Sequence, residues 1–100
     1  MKLPVALLAL LLAGAATAAD YNPQRAKFNY QMFCQGCHTP DGVGAKAVPR
    51  MKDHVGTFLR TRNGREYLVR VPGSATSALS DADLAEVLNW IVLELSLIHI

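Results

Sequence analysis

The sequence predicts a small all-α domain, and three observations lead to this prediction. Apolar residues recur at helical spacing after Pro23 and again after Ser80. No strand-rich pattern surrounds the two cysteines. About 80 residues follow the apolar N-terminal segment, which is enough for one domain with a small core. We therefore expect three to four short helices in a single domain over residues 20–100.

Residues 1–19 are typical of a secretory signal peptide. Met1-Lys2 supplies the positive charge, Val5 to Ala13 is continuously apolar, and small residues follow at Ala16-Thr17-Ala18-Ala19. The apolar run is shorter than the ~20 residues that a membrane-spanning helix needs. We expect cleavage before Ala19 or Asp20, export to the periplasm and no stable membrane anchor afterwards.

The first predicted helix begins at Pro23, a residue favoured at the first helical position, and continues to about Cys34. One apolar face is formed at positions i, i+4 and i+7 by Ala26, Tyr30 and Phe33. A second apolar pair lies at i, i+4 in Phe28 and Met32. This helix would lead directly into the cysteines.

Cys34-Gln-Gly-Cys37-His38 is the attachment signature of a c-type haem. Two thiols at this spacing can both form thioethers with the vinyl groups of one porphyrin, and the imidazole that follows can coordinate the iron. A thioredoxin-like dithiol would need a βαβ context, and a zinc site would need a second pair of ligands. We therefore predict one covalent haem c on Cys34 and Cys37, with His38 as the proximal iron ligand.

The middle of the chain is less regular. Residues 39–49 contain several glycines and prolines and predict a loop, and weak helical signals return over 54–60. Asn63-Gly64 is typical of a turn. Residues 65–71 favour a short helix ended by Pro72-Gly73, although their β-branched and aromatic content would also suit a strand.

The last helix is the clearest, with Ser80 as its N-cap and Asp81 and Asp83 in its first turn. Its apolar residues follow helical spacing at Leu84, Val87, Leu88, Ile91, Val92 and Leu95. Trp90 is expected to pack on the first helix or at the haem edge. Residues 95–100 resemble translated sequencing-adapter sequence, so we expect the natural chain to differ after about Glu94.

Over most of residues 23–95 the chain resembles a small bacterial cytochrome c of the class I type. The matching residues are Cys34-Gln-Gly-Cys37-His38-Thr-Pro-Asp41-Gly42-Val-Gly44, then Val48-Pro49, and the closing segment from Leu79 to Trp90. The resemblance implies an all-α fold with crossing first and last helices, and single-electron transfer. It also implies that the Pro49 carbonyl accepts a hydrogen bond from the His38 ring, with Pro40 as a weaker candidate and an ordinary loop proline as the alternative.

The chain departs from this family at the sixth iron ligand. Class I cytochromes usually present a methionine just before the closing helix, whereas residues 72–79 contain no Met, His or Lys. Met51 is a tentative ligand, although it could instead pack against the porphyrin on the histidine side. His54 or an open axial position are the alternatives.

The predicted function is that of a periplasmic monohaem cytochrome that carries single electrons between donor and acceptor redox proteins. The alternative is a haem protein that binds or senses small ligands at an open distal position. We expect no enzymatic activity, because the distal segment offers no clear acid or base for cleaving an O–O bond.

Charge is unevenly distributed. Residues 46–70 carry seven basic side chains against Asp53 and Glu66, and the basic ones are Lys46, Arg50, Lys52, Arg60, Arg62, Arg65 and Arg70. We interpret Arg60, Arg62 and Arg65 as part of a docking patch for an acidic redox partner. The alternative is a solvated face from which some arginines pair with haem propionates. Export and the modest net charge of +2 argue against nucleic acid as a partner.

Overall fold

The computed structural model of the protein describes residues 20–96. The predicted signal peptide at 1–19 and the last four residues lie outside the described residues. Regular structure in this range consists of helices: α1 (Pro23–Phe33), α2 (Gln35–His38), α3 (Arg62–Arg70), α4 (Pro72–Ala75) and α5 (Asp81–Ile91), with a 3-10 helix at Val55–Arg60 and a π-helical turn at Val92–Ser96. Residues 20–96 contain no β-strand, only an isolated bridge between Ala45 and Val48. The all-α prediction is confirmed.

No helix in this part of the chain is both long enough and apolar enough to cross a lipid bilayer.

Helix α1 begins and ends as its sequence predicts. The Asn22 side chain caps it by accepting a hydrogen bond of 2.9 Å from the Arg25 backbone N–H, and Pro23 occupies the first turn. Ala26 and Tyr30 of the predicted apolar face are buried, whereas Phe33, at the helix end, is half exposed.

Helix α3 settles the choice between helix and strand for residues 65–71. It starts at Arg62, earlier than predicted, because the Thr61 hydroxyl caps it by accepting a hydrogen bond from the Gly64 N–H at 2.9 Å. The predicted turn at Asn63-Gly64 is wrong, since both residues lie inside the helix. Gly64 has a packing role instead, because a Cβ at this position would collide with the Phe58 carbonyl group.

Helix α5 has the predicted cap, with the Ser80 hydroxyl oxygen accepting from the Asp83 N–H at 3.2 Å. It packs across α1, and most of its predicted apolar face is buried or half-buried. The Trp90 ring lies against the Tyr30 ring with centroids 5.2 Å apart. Of the two positions expected for Trp90, the one on the first helix is therefore observed.

The end of the described chain also packs into the domain. Leu95 and Ser96 are buried, and they are hydrogen-bonded to residues just before and at the start of the 3-10 helix. The Leu95 carbonyl accepts from the Asp53 N–H at 2.9 Å, and the Ser96 hydroxyl accepts from the Gly56 N–H at 2.9 Å. The π-helical turn thus closes the core beyond α5.

Tyr30 connects this core to the loop after the cysteines. Its side chain is 1% exposed, and its hydroxyl donates to the Thr39 carbonyl oxygen at 2.5 Å. Burial raises the pKa of Tyr30 to about 12, so the hydroxyl keeps its proton at neutral pH. Thr39 has a positive φ of 70°, and the tyrosine bond helps to hold that uncommon conformation.

An ion pair joins the starts of α1 and α5. The Glu86 carboxylate is almost fully buried and accepts from Arg25 at 2.7 and 2.9 Å and from the Asn22 N–H at 3.0 Å. The hydrogen bonds from Arg25 hold the pKa of Glu86 below its ordinary value. The packing of α1 on α5 is therefore stabilised by one ionised carboxylate, that of Glu86.

We expect Tyr30→Phe to lower the free energy of unfolding by about 1–2 kcal/mol, because the ring still packs but the bond to the Thr39 carbonyl is lost. Denaturant unfolding of the haem-loaded protein measures the change. Tyr21→Phe is the matched control, since Tyr21 is exposed. Equal losses in the two variants would contradict a role for the Tyr30 hydroxyl.

Glu86→Gln is expected to destabilise the protein at pH 7 and progressively less in acid. A carboxylate whose folded pKa is lowered stabilises the fold fully above its ordinary pKa of 4.5, and the stabilisation is lost as pH falls through the folded pKa. As the pH falls from 7 to 3, the denaturant midpoint of the variant should therefore approach that of the unmodified protein. Glu94→Gln, at an exposed position, is the control. A constant gap across this pH range would contradict the prediction.

Candidate haem-binding site

The predicted haem ligands lie on one helical turn. α1 ends at Phe33, and Cys34 is the N-cap residue of α2, while its N–H still donates to the Tyr30 carbonyl at 2.9 Å. The His38 N–H donates to the Cys34 carbonyl at 3.0 Å. This turn holds Cys34, Cys37 and His38 close together, as attachment of one porphyrin requires. Cys34 is half-buried and Cys37 is exposed.

Burial raises the pKa of the Cys34 thiol. The Cys34 side chain is half-buried and packs against the apolar core. The fold thus gives the two thiols different surroundings, with one at the core and one at the surface.

The loop that follows the haem motif fixes the His38 ring through a hydrogen bond. Its Nδ1 lies 3.1 Å from the Pro49 carbonyl oxygen, and since a carbonyl can only accept, Nδ1 is the donor. Nε2 is then the unprotonated nitrogen that is free to bind iron. Such a bond fixes the ring and strengthens it as a ligand. The structure thus places Pro49 where the family resemblance implied, and Pro40 makes no bond to His38.

Gly44 allows this loop to come close to His38, a role that sequence reasoning missed. Its N–H donates to the His38 carbonyl at 3.0 Å, and its φ is +71°. A Cβ at this position would lie 2.9 Å from the Pro49 carbonyl oxygen and would push it away. The glycine cluster after the cysteines was the available signal, but spacing alone could not assign it to Pro49.

A cavity of about 340 Å³ opens beside these residues. Most predicted site residues border it, namely Cys34, His38, Pro49, Met51 and His54, whereas Cys37 does not. The rest of the lining is largely apolar, including Phe58, Leu68, Leu79, Leu84, Leu88 and Ile91. An apolar cavity with a free imidazole nitrogen and a cysteine at its edge fits a porphyrin, which is a flat apolar body with iron at its centre.

Two aromatic residues of the site were not singled out from the sequence. Phe58, in the 3-10 helix, stacks on Tyr67 of α3 with ring centroids 5.2 Å apart. Its other contact is with the His54 ring, edge to face at 5.7 Å. These rings close one side of the cavity. Only the weak helical pattern of residues 54–60 hinted that Phe58 would face inwards.

The basic residues occupy two different places. Arg50 borders the cavity, where it is bonded to the Lys52 carbonyl at 3.0 Å. Arg60, Arg62 and Arg65 do not border the cavity and lie on the exposed surface at and before the start of α3. Arg50 is thus the one of these arginines that borders the cavity, and the other three face solvent.

Neighbouring groups hold three arginines of this surface, Arg62, Arg65 and Arg70. Arg62 and Arg70 both pair with Glu66, each at 3.2 Å, on exposed turns of α3. Arg65 donates to the Leu59 carbonyl at 2.8 Å. Within residues 20–96, no ion pair involves Arg60 or Arg65, so these two contribute most of the net positive charge here.

When haem is bound, its iron supplies reversible one-electron chemistry. The chain supplies a fixed imidazole, two thiols on the same turn and an apolar enclosure that limits access of water. These contributions would tune the potential of the iron.

Comparisons with known proteins agree with this site. Neither the curated proteins nor the solved structures gave a significant match to the chain. A family model described as cytochrome c oxidase, cbb3-type, subunit III matches residues 22–91, which include α1 to α5 and the Cys34–His38 motif. Because this match spans well over half of the sequence, the chain belongs to that family of c-type cytochrome domains and is an electron-carrying protein with one covalently bound haem c.

Proposed function

We propose that the protein is a periplasmic monohaem carrier that passes single electrons between redox proteins without bond chemistry on a substrate. The contact between His38 Nδ1 and the Pro49 carbonyl carries the proposal. It orients one strong iron ligand at the edge of an apolar cavity, which suits an iron that changes oxidation state while its ligand stays in place. The motif and the signal-peptide pattern of residues 1–19 support export.

A basic surface on and before α3 supports docking of an acidic partner. Arg60 ends the 3-10 helix and Arg65 lies in α3, and both are exposed; Tyr67 of α3 is half exposed and borders the cavity. A partner held at this surface would therefore come close to the haem site. Long-range attraction of this kind raises the rate of encounter and weakens with salt.

The matched family is named for a subunit of a terminal oxidase. A respiratory protein is accordingly one class of partner for this carrier. The charge of the surface adds a physical criterion, since such a partner would need an acidic face to be attracted to it.

Exported protein from a host that matures c-type cytochromes should be red and should carry one haem per chain by mass. Changing both Cys34 and Cys37 to alanine should abolish covalent attachment, because the thioether bonds need both thiols. Optical spectra and intact mass measure this. Gln24→Ala is the control, since Gln24 is exposed on α1, does not border the cavity and leaves the motif intact. A colourless, folded protein at bare polypeptide mass would overturn the proposal.

Reversing the two least neutralised arginines should slow reaction with an anionic oxidant. We expect Arg60→Glu with Arg65→Glu to reduce the rate of oxidation by hexacyanoferrate(III) roughly two- to tenfold at low ionic strength, and to have little effect in high salt. Stopped-flow absorbance of the reduced protein measures the rates.

Lys27→Glu on α1 provides a control with the same charge change per residue outside the docking patch. A cationic oxidant, hexaammineruthenium(III), should respond in the opposite direction. Equal effects of Lys27→Glu and Arg60→Glu would show that net charge alone sets the rate and would reject docking at this surface.

A further inference from the structure

One side of α1 faces solvent with uncharged residues. Four exposed residues recur there at positions i, i+4, i+7 and i+8, namely Gln24, Phe28, Gln31 and Met32. They lie opposite Ala26 and Tyr30, which are buried against the core. The outward side of a surface helix usually carries polar or charged side chains, whereas two of these four are large and apolar. These four residues are called the outer α1 face below.

The two apolar members of this face are unusually exposed. Phe28 is 58% exposed and Met32 is 63% exposed, which are the highest values among the large exposed hydrophobic residues of the described range 20–96. Phe28 alone thus leaves on the order of 100 Å² of apolar surface in water. Because the two residues are four positions apart, they form a ridge of the kind that packs against the ridges of another helix.

The charged residues of α1 do little to oppose contact at this face. Arg25 is bonded to Glu86 at 2.7 and 2.9 Å and lies 3.8 Å from Asp83, so its charge is compensated. Lys27 is exposed, but it is turned about 100° around the helix axis from Phe28. A single lysine is also fewer than the basic cluster that typically holds a protein to anionic lipid.

The polar members of the outer α1 face can pair with copies of themselves. A glutamine amide is both a hydrogen-bond donor and an acceptor, so Gln24 or Gln31 of one copy can bond to a glutamine of another. Two carboxylates or two ammonium groups would instead repel each other. In contact with lipid hydrocarbon, the same amides would lose their bonds to water without replacement. The face therefore fits a second copy of this chain better than a lipid surface.

We propose that the protein associates transiently with a second copy of itself through the outer α1 face. In a two-fold symmetric pair the same surface serves both copies, so Phe28 of one copy lies against Met32 of the other in a favourable contact of sulfur with an aromatic ring. One helix face per copy is small beside stable interfaces, which bury ~1,200–2,000 Å² in total. The expected dissociation constant is therefore roughly 0.1–1 mM. The inference does not rest on the proposed function, because none of the four residues borders the cavity.

Sedimentation equilibrium of the exported, haem-loaded protein tests the pair. The weight-average mass should rise from that of one chain towards that of two as the concentration increases from about 10 μM to about 2 mM. Phe28→Ser combined with Met32→Ser should raise the dissociation constant at least about tenfold, because the apolar contact is lost. Val69→Ser combined with Leu93→Ser is the matched control, since both residues are exposed on other elements. It should leave the dissociation constant unchanged.

A charged variant separates contact at this face from a general loss of structure. Gln31→Lys keeps a good helix former at an exposed position but places like charges on both copies of the pair. The dissociation constant should rise at low ionic strength, and added salt should restore part of the association. A salt-independent loss would contradict close approach of the two faces.

Other results would overturn the inference. These are a wild-type protein that stays monomeric at about 2 mM, or equal weakening by the two double variants. Vesicles of phosphatidylglycerol and phosphatidylcholine are a further probe. Binding to them by a monomeric protein, lost in Phe28→Ser with Met32→Ser, would assign the face to lipid instead. The proposed function would fail on a different result, because this double variant should retain haem and its rate of oxidation by hexacyanoferrate(III).

Discussion

The hydrogen bond from the His38 ring to the Pro49 carbonyl is the constraint on which the site depends. It selects the imidazole tautomer, fixes the ring plane and gives the cavity a defined histidine side. The bond exists because the chain can turn tightly between the two residues, and Gly44 with its positive φ makes that turn possible. A short loop therefore orients the iron ligand.

The helical core supports this loop from the other side. α1 delivers Cys34 at its C-terminal end, and Tyr30, one turn earlier, bonds to the Thr39 carbonyl just beyond His38. The same tyrosine packs on Trp90 of α5, and the Arg25–Glu86 pair ties the two helices near their starts. Tyr30 therefore links the packing of α1 on α5 to Thr39, the residue that follows the iron ligand His38. Because the described core is small, a haem in the cavity would add substantially to the apolar interior.

Much of this fold could be predicted from local sequence, and the reasons are local. Asn22-Pro23 and Ser80 act within one helical turn, so their capping roles follow from residue type. Gly64 shows where such reasoning fails, since Asn-Gly is typical of a turn but here the glycine serves the close packing of α3 on Phe58. The roles of Gly44 and Phe58 likewise depend on residues brought together by the fold. No spacing in the sequence specifies those contacts.

The iron would meet two very different surroundings in this domain. On the histidine side, hydrogen bonds link residues 38–51 into a unit that resists rearrangement. Elsewhere in the lining, the short helix α4 contributes Gly73 and Ser74 and is exposed over much of its length. The potential of a haem depends on its axial ligand, on hydrogen bonds to that ligand and on burial, so both parts of the lining would contribute to it. The hydrogen-bonded loop therefore fixes how the imidazole is held, whereas the rest of the lining determines how well the cavity excludes water.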